Sequence, residues 1–142
     1  MKIQFSLLLP LLLLSSIATG QAERTFVKSF SLQNKQNVVL NLGENVQIMP
    51  WDNDIMRVQM TVSLAATNDA TLKVLAETGR YSLKSEPTTD AFAISVPQLQ
   101  TSVKLNGNAI REVVSYIIYV PKNVTIAKNI VSNAVAVTKL RP

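Results

Sequence analysis

From Ile55 to Leu64 apolar and polar residues alternate: Met56, Val58, Met60, Val62 and Leu64 fall on one face of an extended chain, and Arg57, Gln59, Thr61 and Ser63 on the other. A period of two with one apolar face predicts a half-buried β-strand. The same period places Phe26, Lys28, Phe30 and Leu32 on one face, then Val38, Leu40 and Leu42, then Val46 and Ile48 running into Met49-Pro50-Trp51, and later Phe92, Ile94 and Val96. Arg80 to Glu86 reads as a strand with Tyr81 and Leu83 inward. Between these runs Gly43-Glu44-Asn45, Asp52-Asn53-Asp54, Pro87-Thr88-Thr89-Asp90 and Asn106-Gly107-Asn108 are turns by composition. Pro97 to Asn108 is otherwise weakly patterned.

Two segments break the alternation. Thr67, Asn68 or Asp69 can cap a helix, Leu72, Leu75 and Ala76 share one side of it, and Gly79 stands where a C-terminal cap belongs, so a helix is predicted over Asp69 to Thr78. Val113 to Val120 is apolar on both faces, which predicts a central strand covered on each side, with Ile117 and Ile118 both buried. Glu112 before it and Pro121-Lys122 after it act as gatekeepers against aggregation. Val124 to Ile126 and Ala134 to Leu140 are two further short strands. Asn37-Val38-x-Leu40, Asn45-Val46-x-Ile48 and Asn123-Val124-x-Ile126 echo one another. The echo marks either a repeated strand-turn unit or simply how strands begin, and it lacks the fixed period of a solenoid. The fold class expected is mainly β: one β-rich domain, a roll, β-helix-like or a sandwich, with one short helix near 69–78.

The apolar run at the N-terminus belongs to no domain. Lys2, then Leu7 to Leu14 broken by Pro10, then small residues up to Ala22, form a secretory signal peptide over residues 1–22. Its core is shorter than the roughly 20 apolar residues that span a bilayer. Cleavage is expected after residue 20 or 22, leaving a single domain over 23–142, with no transmembrane segment after signal removal. The expected location is exported, periplasmic or secreted.

Composition then narrows the chemistry. There is no cysteine and no histidine. That excludes disulfides, thiolate nucleophiles, cysteine-ligated metals and an acylated lipoprotein cysteine, and it removes the usual proton shuttle and commonest metal ligand. No cofactor or transition metal is expected. Lys and Arg number 14 against 9 Asp and Glu, and the excess sits late: Lys104, Arg111, Lys122, Lys128, Lys139 and Arg141 face one acid, Glu112. These six are the candidate contacts to an anionic surface if the late strands lie side by side. The alternative is that they guard strand edges. No cluster is dense enough for nucleic acid.

The remaining candidates read mostly as structure. Asp52 and Asp54 suggest a calcium loop, but the further oxygens and distal Glu of such a loop are missing, so a backbone-capping turn is expected. Trp51 is a sugar-stacking platform or, in the favoured reading, the closure of one end of the core. Tyr116 and Tyr119 point to opposite faces of one strand and are read as packing. Ser82-Leu83-Lys84 and Ser102-Val103-Lys104 place Ser and Lys on one strand face, yet no nucleophile elbow or Ser-x-x-Lys helix accompanies them. Nothing brings two carboxylates onto one strand face as glycoside hydrolysis requires. The chain is therefore not expected to be an enzyme.

Val46-x-Ile48-x-x-Trp51-Asp52-x-Asp54-x-Met56-x-Val58, with Tyr116-x-Ile118-x-Val120-Pro121-Lys122-Asn123-Val124-x-Ile126, resembles the adhesin-like domains of exported bacterial proteins over about residues 26 to 137. The resemblance implies a strand pair, a helix, and then a ladder of short β-strands, β-helical or roll-like. It implies a binding role without assigning a ligand, and fold alone does not fix function. The chain departs from the family at Ser132-Asn133-Ala134, where a glycine turn is usual, and its ladder is short. The function expected is an exported, non-catalytic envelope or secreted β-domain with a binding or scaffolding role. Its partner is expected to be an anionic envelope component or a protein. The alternative is a small periplasmic enzyme inhibitor, or a subunit of a larger adhesin-like assembly.

Overall fold

The computed structural model describes residues 21–129. Residues 1–20 of the signal peptide expected over 1–22, the strand expected over Ala134 to Leu140, the departure at Ser132 to Ala134, and Lys139 and Arg141 lie outside the described residues. Among the described residues the fold is mainly β, with three sheets and one α-helix, consistent with the expected β-rich domain carrying one short helix.

The larger sheet has the order β1-β4-β9-β3, built from β1 (Ala22–Ser31), β4 (Ile55–Leu64), β9 (Glu112–Pro121) and β3 (Val46–Trp51). β1 and β9 both run antiparallel to β4, and β3 runs parallel to β9. The smaller sheet has the order β10-β2-β6-β5, from β10 (Thr125–Lys128), β2 (Asn37–Asn41), β6 (Phe92–Ser95) and β5 (Lys84–Pro87). In it β10, β2 and β6 are all parallel. The chain thus steps from the small sheet to the large one twice along neighbouring tracks: β2 turns into β3, and β6 leads through residues 97–111 into β9. This coil-like stepping gives two sheets whose inner faces share one core.

The inner faces are supplied by the residues that alternation singled out. Met56, Val58, Met60, Val62 and Leu64 are all fully buried, as is Ile118 beside them on β9. Val38, Leu40, Phe92 and Ile94 bring the small sheet to the same cluster. Phe30 on β1 and Phe92 on β6 meet edge to face at 6.1 Å. Helix α1 (Asp69–Glu77) adds Leu72, fully buried, with Leu75 and Ala76 packed against the cluster. The Asn68 side chain caps it by accepting from the Thr71 amide at 3.0 Å. Gly79 follows at φ +83, a left-handed conformation that ends the helix without a Cβ penalty.

Three expectations need correction, and the two readings of the echoed motif are decided. β9 is internal to its sheet but covered on one side only: Ile118 is buried, whereas Ile117 is 37% and Val113 50% exposed. The run is apolar on both faces because its outer face carries exposed hydrophobics, not because a second layer covers it. Strand β5 starts at Lys84 rather than Arg80; Tyr81 and Leu83 are buried as expected, but from the turns that follow α1. Trp51 does not close the core, since its strand position puts it on the outer face. The echoed motif is not a repeat in register, because Asn37 stands opposite Thr125 rather than Asn123. Adjacent strands carrying the motif are out of step, so it marks where strands begin.

The weakly patterned stretch forms a short 3-10 turn over Pro97–Gln100 and a two-residue hairpin, β7 (Lys104–Leu105) with β8 (Asn108–Ala109). Asn106 and Gly107 at φ +50 and +82 make its turn, which needs two left-handed residues. Two edge strands carry proline: Pro50 on β3 and Pro87 on β5. On β3 the Lys128 amine also donates to the Val46 carbonyl at 3.2 Å. Missing donors and lysines on an edge discourage pairing with further strands.

The two faces of β9 should respond differently to substitution. Ile118→Ala is expected to cost about 2 to 5 kcal/mol, as for other buried aliphatics. Ile117→Thr, measured in dilute protein, should stay within about 0.5 kcal/mol, as for surface positions. Denaturant unfolding of both variants checks this, and equal losses would restore a second covering layer.

Candidate functional site

Strand register builds the outer face of the large sheet from rows that cross it. Ser29, Arg57, Tyr119 and Met49 form one row, and Val27, Gln59, Ile117 and Gln47 the next. Thr25, Thr61 and Ser115 follow, and then Glu23, Ser63 and Val113. Six large hydrophobic side chains are exposed among the described residues, and four of them, Val27, Met49, Val113 and Ile117, stand on this one face. The helix and the β7–β8 hairpin hold the other two, Val74 and Leu105, so exposed hydrophobics concentrate on this face among positions that are otherwise polar.

One corner of the face carries an aromatic cluster. The Trp51 ring lies 5.3 Å from that of Tyr119, tilted by 38°. The Arg57 guanidinium stands over the Trp51 ring at 5.0 Å from its centre, a cation–π distance. The indole N–H donates to the Ile55 carbonyl at 2.9 Å, which fixes the ring's orientation. The turn beneath it closes as composition predicts, with the Asn53 side chain accepting from the Ile55 amide at 3.1 Å. Arg57 and Glu23 are the two charged residues on the strand positions of this face. Among the described residues neither belongs to an ion pair. Glu23 accepts from the Ser63 hydroxyl at 2.8 Å.

The late cations do not gather here. Lys104, on β7, and Arg111 lie at the end of the sheet where β9 begins, and Lys122 lies beyond the end where it finishes. The ten residues of β9 separate them, about 30 Å of extended chain. Lys122 pairs with Asp52 at 2.7 Å. Lys128 sits on β10, bound to the Val46 carbonyl. Lys139 and Arg141 are outside the described residues.

A second cluster of ionisable groups lies at the wall of an open cleft of about 1050 Å³ between the turn over 42–45 and residues 99–114. Arg80 and Glu112 form a buried ion pair there. Arg80 Nε donates to Glu112 Oε1 at 2.7 Å and Nη2 to Oε2. The Tyr81 hydroxyl also donates to Oε1, at 2.8 Å. Two further guanidinium N–H groups bind the Gln98 and Thr101 carbonyls at 2.8 and 3.0 Å. The hydrogen bonds it donates to Glu112 hold the Arg80 pKa above its ordinary value. Burial, reinforced by the bond to Glu112, raises that of the Tyr81 phenol. Four of the five guanidinium N–H groups are bound and both carboxylate oxygens are occupied, so the cluster acts as a clamp joining the end of α1, the start of β9 and the 3-10 turn. No three His, Cys, Asp or Glu side chains converge to hold a metal among the described residues.

Sequence reasoning missed both clusters. The outer face had a usable signal: Arg57, Gln59, Thr61 and Ser63 show that this side of the sheet is wet. Any strand paired to β4 therefore exposes the side chains in step with them. What was missing was the register that puts Ile117 beside Gln59.

Removing one partner of the clamp should be severe. Glu112→Gln is expected to destabilise the fold by about 3 to 5 kcal/mol, since it leaves a buried guanidinium uncompensated. Arg80→Met combined with Glu112→Leu should cost less than that. Chemical denaturation of the three chains checks the order.

Alkaline stability follows from the tyrosines. Tyr81 and Tyr116 both have their pKa raised above the ordinary value of 10.0, chiefly by burial. A raised folded-state pKa contributes stability that is complete below about pH 10 and is lost as pH climbs further. Tyrosinate absorbance followed with circular dichroism should show these two phenols ionising only as the fold is lost. Tyr81→Phe and Tyr116→Phe should each remove part of that late change.

No protein-family model matches the chain, and neither a curated protein nor a solved structure matches it significantly.

Proposed function

We propose that the chain is an exported, non-catalytic β-domain of the bacterial envelope, periplasmic or secreted, which binds or scaffolds through the outer face of its large sheet. The observation that carries the reading is the concentration of Val27, Met49, Val113 and Ile117 on that face, beside the Trp51–Tyr119–Arg57 corner. A mixed sheet face that carries exposed hydrophobics with an aromatic and a cationic anchor has the composition of a protein contact surface. The N-terminal signal pattern and the resemblance to adhesin-like domains support export and a binding role. The non-catalytic reading draws support from the missing His and Cys and from Glu112, which is occupied through both oxygens. Lys104, Arg111 and Lys128 are secondary contacts for an anionic envelope component, from outside the face. Among the described residues no helix is long and apolar enough to cross a membrane.

A photo-reactive residue replacing Ile117, in protein expressed with its own signal and irradiated in the intact envelope, is expected to form covalent adducts. The same residue replacing Val74, exposed on α1, should form none. Adducts from position 74 alone, or from neither position, would overturn the outer face as the binding surface.

A further inference from the structure

We propose that the partner seated on the outer face is a second copy of this chain, packed sheet to sheet about a two-fold axis that crosses the strands. The inference rests on the outer face being the binding surface and adds the identity of its occupant. Two sheets stack stably when their strands lie within about 30° of each other, and a homodimer contact must be self-complementary. A two-fold axis lying between the sheets can run along the strands or across them. Only the second makes this face complementary to itself.

An axis across the strands lays β4 on the partner's β4 and reverses the order of rows. Arg57, in the first row, then faces the last row, where Glu23 is held by Ser63. The two charged residues of the face meet, twice over by symmetry, and each is without an ion pair among the described residues of its own chain. Size matches as well as charge. Tyr119 falls on the row of Val113, Ile117 on that of Ser115, and Val27 on that of Thr25, so large side chains meet small ones. An axis along the strands instead lays β4 on β9, and Arg57 then meets no acid. With strands about 4.8 Å apart and a rise of about 3.4 Å per residue, β1, β4 and β9 laid on their counterparts cover roughly 1,000 Å² in total, at the low end for a specific interface. The structure therefore assigns a modest, dissociable dimer.

Sedimentation equilibrium of the mature protein tests this. The native chain should reach twice the monomer mass as concentration rises. Arg57→Glu and Glu23→Arg, each placing like charges opposite, should weaken association by about tenfold or more. Glu23 is exposed and Arg57 half-buried, both on the outer face rather than in the core, so far-ultraviolet circular dichroism should be unchanged in both variants. An equimolar mixture of the two variants should recover the dimer, because every facing pair is then opposite in charge. The chain carrying both substitutions should recover it alone. A native protein that stays monomeric, or variants that associate as the native chain does, would overturn the second copy, as would a mixture that fails to recover. A monomer whose position-117 probe still captures another envelope component would leave the binding face standing and replace only its occupant. Loss of both adducts and dimer would overturn the two readings together.

Discussion

Strand β4 pairs along nearly its whole length on both edges, with β1 on one side and β9 on the other. That double ladder is the constraint on which the remaining structure depends. Each core-facing residue of β4 is fully buried, so its register cannot slip by one position without exposing the set. Once β4 is fixed, the register of β9 is fixed with it, then that of β3 beside β9, and so the composition of both faces of the sheet. The outer face is a by-product of inner-face packing: hydrophobic residues stand there only where the strands' alternate positions allow.

The buried ion pair has a different physical role. A paired charge in a protein interior is weak evidence of net stability, because desolvation offsets much of the attraction. Here Arg80 instead ties down two carbonyls of residues 98–101, which belong to no ladder. The pair gives residues 97–111 a fixed attachment in a stretch that lacks enough apolar residues to bury itself. No disulfide is available for that task in a chain without cysteine.

Much of the fold was legible because alternation and caps are local signals. The buried sets of β2, β4 and β6, the cap at Asn68, the helix over Asp69–Glu77 and the turn at Asn106-Gly107 all depend on neighbouring residues. What local reasoning cannot supply is which strand lies beside which. Val113 to Val120 reads as a strand covered on both faces when taken alone; pairing with the polar outer side of β4 shows that one of those faces is open. Trp51 was placed at the core for the same reason, since its exposure depends on the parallel register with β9. Arg80 and Glu112 are far apart in sequence, and no pattern in either neighbourhood points to the other.

The guarded edges of β3 and β5 limit how molecules of this kind can grow into larger bodies. A sheet that accepts new strands at its margin can extend without end, one chain after another, into a fibre. Pro50, Pro87 and the Lys128 amine on the Val46 carbonyl obstruct that direction at these two margins. Contact through a flat face works by another geometry: a face once occupied offers no second face of the same kind. At the β3 and β5 margins growth by added strands is thereby obstructed, and a contact made through the face instead closes on itself rather than propagating.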